Sequence, residues 1–82
     1  MLKKYFIVLG GGKDQLYLIK NIKSLNYKLI IFDKSKNCPG FDFADLSFNI
    51  DFSNYKKVIS KLSALKKIYK INYAGIITMG SD

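Results

Sequence analysis

Hydrophobic residues along the chain form four short segments that have the pattern of β-strands. Two of them are continuous apolar runs, at residues 5–9 and 29–32, and a third, residues 74–79, is apolar apart from one threonine. Strands that are covered on both faces of a sheet have this composition, so we expect these three to be buried. The fourth segment, residues 46–50, alternates between apolar and polar residues and predicts a short strand nearer the edge of the sheet.

Two longer segments repeat their apolar residues every three or four positions, which predicts amphipathic helices. The first covers residues 14–25, where Asp14 could cap or begin the helix and Asn26 could end it. The second follows Ser53, a candidate N-cap, and most of its lysines lie outside the apolar stripe. The predicted stripes are Leu16, Leu18, Ile19, Ile22 and Leu25 in the first helix, and Tyr55, Val58, Ile59, Leu62, Leu65, Ile68 and Tyr69 in the second.

These elements follow one another as strand, glycine-rich loop, helix, strand, loop, strand, helix and strand. Helices that connect apolar strands imply right-handed crossovers and a parallel sheet. We therefore expect one α/β domain over residues 1–82, a Rossmann-like half with three α/β/α layers. Its four-stranded, mainly parallel sheet would have the order 3-2-1-4. Two helices cannot cover both faces of such a sheet completely, so we expect an N-terminal fragment of a longer multidomain protein or, as the alternative, a homodimer.

The polar composition restricts the chemistry that the chain could perform alone. It contains no histidine, and all of its acidic residues are aspartates. The single cysteine, Cys38, excludes an internal disulfide and a cysteine-based metal site. We therefore expect no catalytic residue and no metal site in this segment, which would be a binding module or part of a larger enzyme.

The net charge of +8 comes entirely from lysine and raises the question of a nucleic-acid or membrane partner. Arginine, the preferred residue for bidentate phosphate contacts, is absent, and the lysines are spread over the outer faces of both predicted helices. We interpret them as solvent-exposed and disfavour a nucleic-acid partner. No apolar stretch approaches the ~20 residues that span a bilayer, so we expect a cytoplasmic protein without membrane contact.

Three consecutive glycines, Gly10, Gly11 and Gly12, follow the first predicted strand and precede the first predicted helix. Backbone N–H groups and the helix dipole favour an anionic ligand at such a place. Gly10 and Gly12 match the first two glycines of the dinucleotide-binding pattern G-x-G-x-x-G/A, and Asp33 lies about where its ribose-binding acid would be. The third position is Gln15, so the match is incomplete. A tight turn without a ligand is the alternative interpretation.

The chain also contains four segments that together resemble a known domain: LGGGKDQL, LNYKLIIFD, CPGFDFAD and GIITMGSD. In this order and spacing they look like the N-terminal, pre-ATP-grasp domain of ATP-grasp enzymes. The carbamoyl-phosphate-synthase-like and biotin-carboxylase-like ligases are the closest among these. The resemblance extends over nearly the whole chain. Asn26 stands where such domains often have glycine, and Cys38, where a small residue is usual, is interpreted as a small loop residue.

This resemblance implies a ligase that activates a carboxylate as an acyl phosphate, which an amine or similar nucleophile then attacks. The present segment would bind the small-molecule acceptor, while ATP and Mg²⁺ would be held by the remaining domains of the same protein. The candidate substrate-binding residues are Gly10, Gly11, Gly12, Lys13, Gln15, Gly80, Ser81 and Asp82, with Asp33 added at the end of the second strand.

Two hypotheses from different classes of function therefore stay open. The acceptor-binding hypothesis predicts that a Gly11→Asp change abolishes acceptor-dependent use of ATP and leaves the fold intact. The alternative is an NAD(P)-binding Rossmann module of an oxidoreductase, which predicts binding of NAD(H) to the purified chain. The residue Gln15 at the third glycine position disfavours this alternative.

Overall fold

The structure, a computed structural model, describes residues 4–78. Within this range a sheet contains the parallel strands β1 (Lys4–Leu9), β2 (Lys28–Phe32), β3 (Leu46–Phe48) and β4 (Asn72–Thr78). Their order across the sheet is β3-β2-β1-β4. The predicted α/β fold and the predicted 3-2-1-4 strand order are confirmed.

Two α-helices connect these strands in pairs. The first, α1 (Leu16–Ser24), lies between β1 and β2 in the chain, and the second, α2 (Tyr55–Tyr69), lies between β3 and β4. Two short 3₁₀ helices, Lys13–Gln15 and Pro39–Phe43, precede α1 and β3. Among residues 4–78 no helix has both the length and the apolar character that crossing a membrane would require.

Each face of the sheet has its own apolar cluster, with one helix packed on it. The cluster under α2 contains Ile7, Ile30, Phe32, Val58, Leu65 and Ile71. The cluster under α1 contains Val8, Ile19, Ile22, Leu29 and Ile31. Successive residues of β1 and β2 belong alternately to the two clusters, because side chains along a strand point to opposite faces. The three layers are thus confirmed, and both central strands are covered on both sides.

The first helical segment begins and ends close to the predicted positions. It is divided into the 3₁₀ turn and α1, and Asp14 lies in the first turn without capping it through its side chain. Asn26 has a φ of 70°, the left-handed conformation predicted for the residue that ends this helix. The predicted burial of Leu25 is wrong, since its side chain is 69% exposed. Leu25 follows the last α-helical residue, so the helical periodicity no longer determines where its side chain points.

The second helix begins at a different cap from the predicted one. The side-chain oxygen of Asn54, and not that of Ser53, accepts a hydrogen bond from the N–H of Lys57. Of the predicted apolar stripe only Val58 and Leu65 are buried. Neighbouring residues of a helix point about 100° apart, so a single sheet face cannot cover Val58 and the residue after it. The stripe residues that are exposed are Tyr55, Ile59, Ile68 and Tyr69.

The strand β4 was predicted to be buried on both faces, and this prediction is wrong. Its residues alternate between exposed and half-buried, and the Ile76 side chain is 55% exposed. The strand order explains the difference, because β4 lies at the edge of the sheet and, among the strands of residues 4–78, pairs with β1 alone. The other edge strand is β3, which agrees with the edge position predicted for residues 46–50.

Asp45 connects the beginning of β2 to the segment before β3. Its Oδ2 atom accepts a hydrogen bond of 2.7 Å from the N–H of Leu29 and one of 3.0 Å from Nζ of Lys23. Nζ of Lys28 lies 3.7 Å from Oδ1. Burial acts to raise the pKa of the Asp45 carboxyl, but the Leu29 hydrogen bond and the two lysines together lower that pKa below its ordinary value.

We expect acid to weaken the fold partly through Asp45. Its folded-state pKa lies below the unfolded value of about 3.9. The ionised carboxylate therefore contributes stability that is fully present above the unfolded pKa and is lost as the pH falls through the folded pKa. Near neutral pH, an Asp45→Ala variant should have a free energy of unfolding about 1–3 kcal/mol below that of the original chain, since the Leu29 N–H loses its acceptor. As the pH falls, the free energy of unfolding should decrease less in the variant than in the original chain. Urea denaturation followed by circular dichroism at a series of pH values measures both effects.

The matched control for this prediction is Asp42→Ala, which removes an exposed carboxylate from the 3₁₀ helix Pro39–Phe43. Its free energy of unfolding near neutral pH should stay within about 0.5 kcal/mol of the original. An Asp45→Ala variant that kept the full acid dependence of the original chain would contradict the assignment to Asp45.

Candidate ligand-binding site

The glycine-rich loop, residues 10–15, leaves β1 at the carboxyl edge of the sheet. β1 pairs with β2 on one side and with β4 on the other, and Leu9 is opposite Thr78 of β4. The successive strands β1, β2 and β3 extend the sheet in one direction, whereas β4 is added on the opposite side. The strand order therefore reverses between β1 and β4. Open α/β sheets bind their ligands in the crevice at such a point.

Gly10 is required by its own backbone conformation. Its φ is +107°, a value that residues with a side chain rarely adopt. Its N–H donates a 2.8 Å hydrogen bond to the carbonyl oxygen of Phe32, which continues the contact between β1 and β2 by one residue. The loop thus leaves the sheet in a direction that is fixed by the backbone.

Gly11 is held by both of its polar backbone atoms. Its N–H donates to Oδ2 of Asp33 at 2.7 Å, and its carbonyl oxygen accepts from the N–H of Gly40, also at 2.7 Å. A Cβ atom at Gly11 would lie 3.0 Å from Sγ of Cys38 and 3.0 Å from Cγ2 of Ile31. A Gly11→Asp carboxylate would enter this tight, buried space, so the structure favours a loss of stability in this variant over an intact fold. The predicted contact of Gly11 with an acceptor stays a prediction.

The contact between Gly11 and Gly40 was not predicted from the sequence. The sequence predicts only a loop between the second and third strands, whereas in the structure Pro39 and Gly40 begin a 3₁₀ helix that packs against the glycine-rich loop. A Cβ atom at Gly40 would lie 2.7 Å from the carbonyl oxygen of Gly11, closer than real Cβ atoms come. The Pro-Gly pair next to a cysteine was the available signal, but it does not say which segment the glycine approaches.

The second half of the loop offers backbone donors. Gly12 is extended, with φ −67° and ψ 170°, and its carbonyl oxygen accepts a 2.9 Å hydrogen bond from the N–H of Gln15. Within residues 4–78 the N–H groups of Gly12, Lys13 and Asp14 have no hydrogen-bond acceptor. They stand at the positive end of the 3₁₀ turn and α1, and the Lys13 side chain is exposed. This arrangement suits an anionic group of a ligand.

Asp33 joins three segments at the carboxyl edge. Its two carboxylate oxygens accept separate hydrogen bonds from backbone N–H groups, Oδ2 from Gly11 and Oδ1 from Ser35 at 2.8 Å. Its own N–H donates to the carbonyl oxygen of Phe48, and its carbonyl oxygen accepts from Nδ2 of Asn49. The carboxylate is therefore engaged inside the protein, at a place where a dinucleotide-binding domain would direct it to a ribose.

Cys38 is a free and buried thiol beside the loop. Burial raises the pKa of this thiol, and the negative charge of Asp33 acts in the same direction against hydrogen bonds from the backbone at Phe41 and Gly40. The thiol is therefore protonated near neutral pH and is a weak nucleophile. These properties agree with the interpretation of Cys38 as a small loop residue.

The predicted site residues fall into two groups. Gly80, Ser81 and Asp82 lie outside the described residues. The remaining predicted residues come together at the carboxyl ends of the strands, and they are Gly10, Gly11, Gly12, Lys13, Gln15 and Asp33.

Among residues 4–78, no three cysteine or aspartate side chains come together as a metal site.

No protein-family model matches the chain. Two curated proteins are similar to it. One is the formate-dependent phosphoribosylglycinamide formyltransferase of Prochlorococcus marinus strain MIT 9515, which is 29% identical over 65 residues. The other is the protein of the same name from Prochlorococcus marinus subsp. pastoris, which is 35% identical over 60 residues.

The similarity to these formyltransferases covers most of this chain but a small part of each relative. The aligned segments are 79% and 73% of the chain, and 17% and 15% of the two relatives. The chain therefore spans far less than the length of either formyltransferase. Neither relative is named as a carbamoyl phosphate synthase or a biotin carboxylase, the two kinds of ligase that the sequence motifs suggested.

Proposed function

We propose that this chain is the acceptor-binding, N-terminal part of an ATP-grasp ligase. The glycine-rich loop binds the anionic part of an amine substrate, whose nitrogen attacks a carboxylate that has been activated as an acyl phosphate. ATP and Mg²⁺ bind to other parts of the same protein, and these parts are the partners of this domain. The catalytic groups also belong to those parts, so the chain by itself does not catalyse the reaction.

The observation that carries this proposal is a set of three backbone N–H groups without a hydrogen-bond acceptor, at the point where the strand order reverses. The N–H groups of Gly12, Lys13 and Asp14 have no acceptor within residues 4–78, and they lie at the start of a helix next to an exposed ammonium group. A phosphate is the ligand group that such a site suits best, because it takes several N–H donors and is favoured by the helix dipole.

The names of the similar proteins support a substrate of this chemistry. Both are called formate-dependent phosphoribosylglycinamide formyltransferases. Their names mention two compounds: formate, which is a carboxylate, and phosphoribosylglycinamide, which is an amine with a phosphoribosyl group. We propose that the acceptor of the present protein is likewise a phosphorylated amine and that its 5-phosphate binds to the loop. Nothing in the loop favours the oxidoreductase alternative, since the Asp33 carboxylate that would bind a ribose accepts two backbone N–H groups instead.

A titration of the ¹⁵N-labelled chain with 5-phosphoribosylglycinamide tests this proposal. We expect the largest chemical-shift changes at the amides of Gly12, Lys13 and Asp14, with millimolar affinity because much of the ligand is held elsewhere. Removing the nearby cation in a Lys13→Ala variant should weaken binding about fivefold, which corresponds to ~1 kcal/mol. Inorganic phosphate should shift the same amides more weakly.

The matched control is Lys67→Ala, which removes an exposed lysine from the last turn of α2 and should leave the affinity unchanged. The helix α2 returns the chain from the carboxyl end of β3 to the amino end of β4. This lysine, in the last turn of α2, therefore lies near the amino ends of the strands, whereas the glycine-rich loop lies at their carboxyl ends. A chain whose loop amides do not respond to the glycinamide would contradict the proposal. Tight binding of NAD(H) at these amides would support the oxidoreductase alternative.

A further inference from the structure

The hydrogen bonds of the glycine-rich loop divide it into two halves. In the first half, Gly10 and Gly11 direct their N–H groups to protein acceptors, the Phe32 carbonyl oxygen and the Asp33 carboxylate. In the second half, the N–H groups of Gly12, Lys13 and Asp14 have no acceptor within residues 4–78. The Asp33 carboxylate therefore binds Gly11, the residue directly before the three N–H groups that have no acceptor. The position of Asp33 thus helps to determine where these three N–H groups lie.

A direct contact between Asp33 and an anionic ligand conflicts with this geometry. The two carboxylate oxygens already accept the N–H groups of Gly11 at 2.7 Å and of Ser35 at 2.8 Å. A negative charge that met a bound phosphate directly would repel it. The same carboxylate can instead favour binding indirectly, because it fixes the backbone conformation of a loop whose glycines would otherwise be free to adopt many.

We infer that Asp33 is a positioning residue of the acceptor site: it holds Gly11 so that the N–H groups of Gly12, Lys13 and Asp14 are arranged for the ligand, and it does not touch the ligand. This inference rests on the proposed function. It assigns the partly buried acid at the end of β2 to the loop and not to a ribose. Since the two N–H groups reach different carboxylate oxygens, the residue must offer two acceptor atoms in these positions, and an asparagine offers one oxygen with an NH₂ group in place of the other.

An Asp33→Asn variant tests the inference in two steps. Without ligand, the amide of Gly11 should exchange with solvent about tenfold faster, ~1.4 kcal/mol in opening free energy, and the amide shifts of Gly12 to Asp14 should change. With 5-phosphoribosylglycinamide, the affinity should fall about tenfold. In the original chain, a scalar coupling across the hydrogen bond between the Gly11 nitrogen and the Asp33 carboxylate carbon should be observable. That coupling gives a result even if the variant does not fold.

Asp45→Asn is the matched control. It places the same substitution at a carboxylate that also accepts a backbone N–H at 2.7 Å, but at the amino end of β2. This variant should lose stability and leave the loop amides and the affinity unchanged.

Three results would overturn the inference. They are a missing coupling in the original chain, loop amides in Asp33→Asn that match the original, and changed loop amides with unchanged affinity. If the original chain does not bind the glycinamide, the proposed function fails. The ligand-free amides and the coupling then decide by themselves whether Asp33 holds the loop.

Discussion

A Gly40→Ala variant is expected to lose about 3 kcal/mol of its free energy of unfolding, the upper end of what overpacking usually costs. The added Cβ atom would lie 2.7 Å from the carbonyl oxygen of Gly11, 2.8 Å from its Cα atom and 2.9 Å from Cδ1 of Ile19. Two of these three atoms belong to the backbone of the glycine-rich loop. That backbone cannot easily retreat, because Asp33 also holds Gly11 through its N–H. Urea denaturation followed by circular dichroism measures the loss.

Gly12→Ala is the matched control, since it adds the same methyl group to the same loop. Its Cβ atom would lie 3.0 Å from Oε1 of Gln15, the end of a flexible side chain that can move away. Its φ of −67° suits any residue, so the change in stability should stay within about 1 kcal/mol in either direction. Equal stability losses in the two variants would show that the close approach of Gly40 to Gly11 is not what makes position 40 sensitive.

The elements of this fold could be predicted because they depend on local patterns. The apolar runs of β1 and β2, the spacing along both helices and the alternation of helix and strand were sufficient for the strand order. Asn26 could be assigned to the end of the first helix, because few residues other than glycine tolerate its left-handed conformation.

Burial at the margins of the fold could not be predicted in the same way. The residues of β4 have the apolar composition of a central strand, and only its position at the edge of the sheet leaves Ile76 exposed. Likewise, Ile59 continues the apolar spacing of α2 but points away from the one sheet face that the helix covers. Whether an apolar residue is buried depends on which neighbours are present, and local periodicity does not contain that information.

The site shows the same division between local and distant information. Three glycines before a helix predict a ligand-binding loop, and this stays a prediction. They did not reveal that Gly11 contacts the Asp33 carboxylate and the Gly40 backbone, because on the Gly11 side both contacts use backbone atoms and both join positions far apart in the chain. The sequence also made Asp33 a candidate ligand-binding residue, whereas the structure directs its carboxylate to the loop itself. A pattern can locate a loop but does not say what holds it in place.

A Phe32→Ala variant is expected to lose about 3–5 kcal/mol of its free energy of unfolding, more than the Gly40→Ala variant. Phe32 is completely buried under α2, and its ring lies 5.3 Å from the ring of Phe48 on the edge strand β3. The change removes this aromatic contact and leaves a cavity at the end of β2. Domains of this size are stable by only about 4–12 kcal/mol, so the variant should unfold at a much lower urea concentration.

The control for this loss is Tyr17→Ala, which truncates an aromatic side chain of similar size that is 80% exposed on α1. Its stability should stay within about 0.5 kcal/mol of the original chain. A Phe32→Leu variant should lie in between, because it keeps most of the buried volume and loses the contact with Phe48. If Phe32→Ala cost no more than Tyr17→Ala, burial at the end of β2 would not be what stabilises the sheet. The carbonyl oxygen that accepts the Gly10 N–H is part of the backbone, so in folded Phe32→Leu molecules the glycine-rich loop should keep its amide shifts.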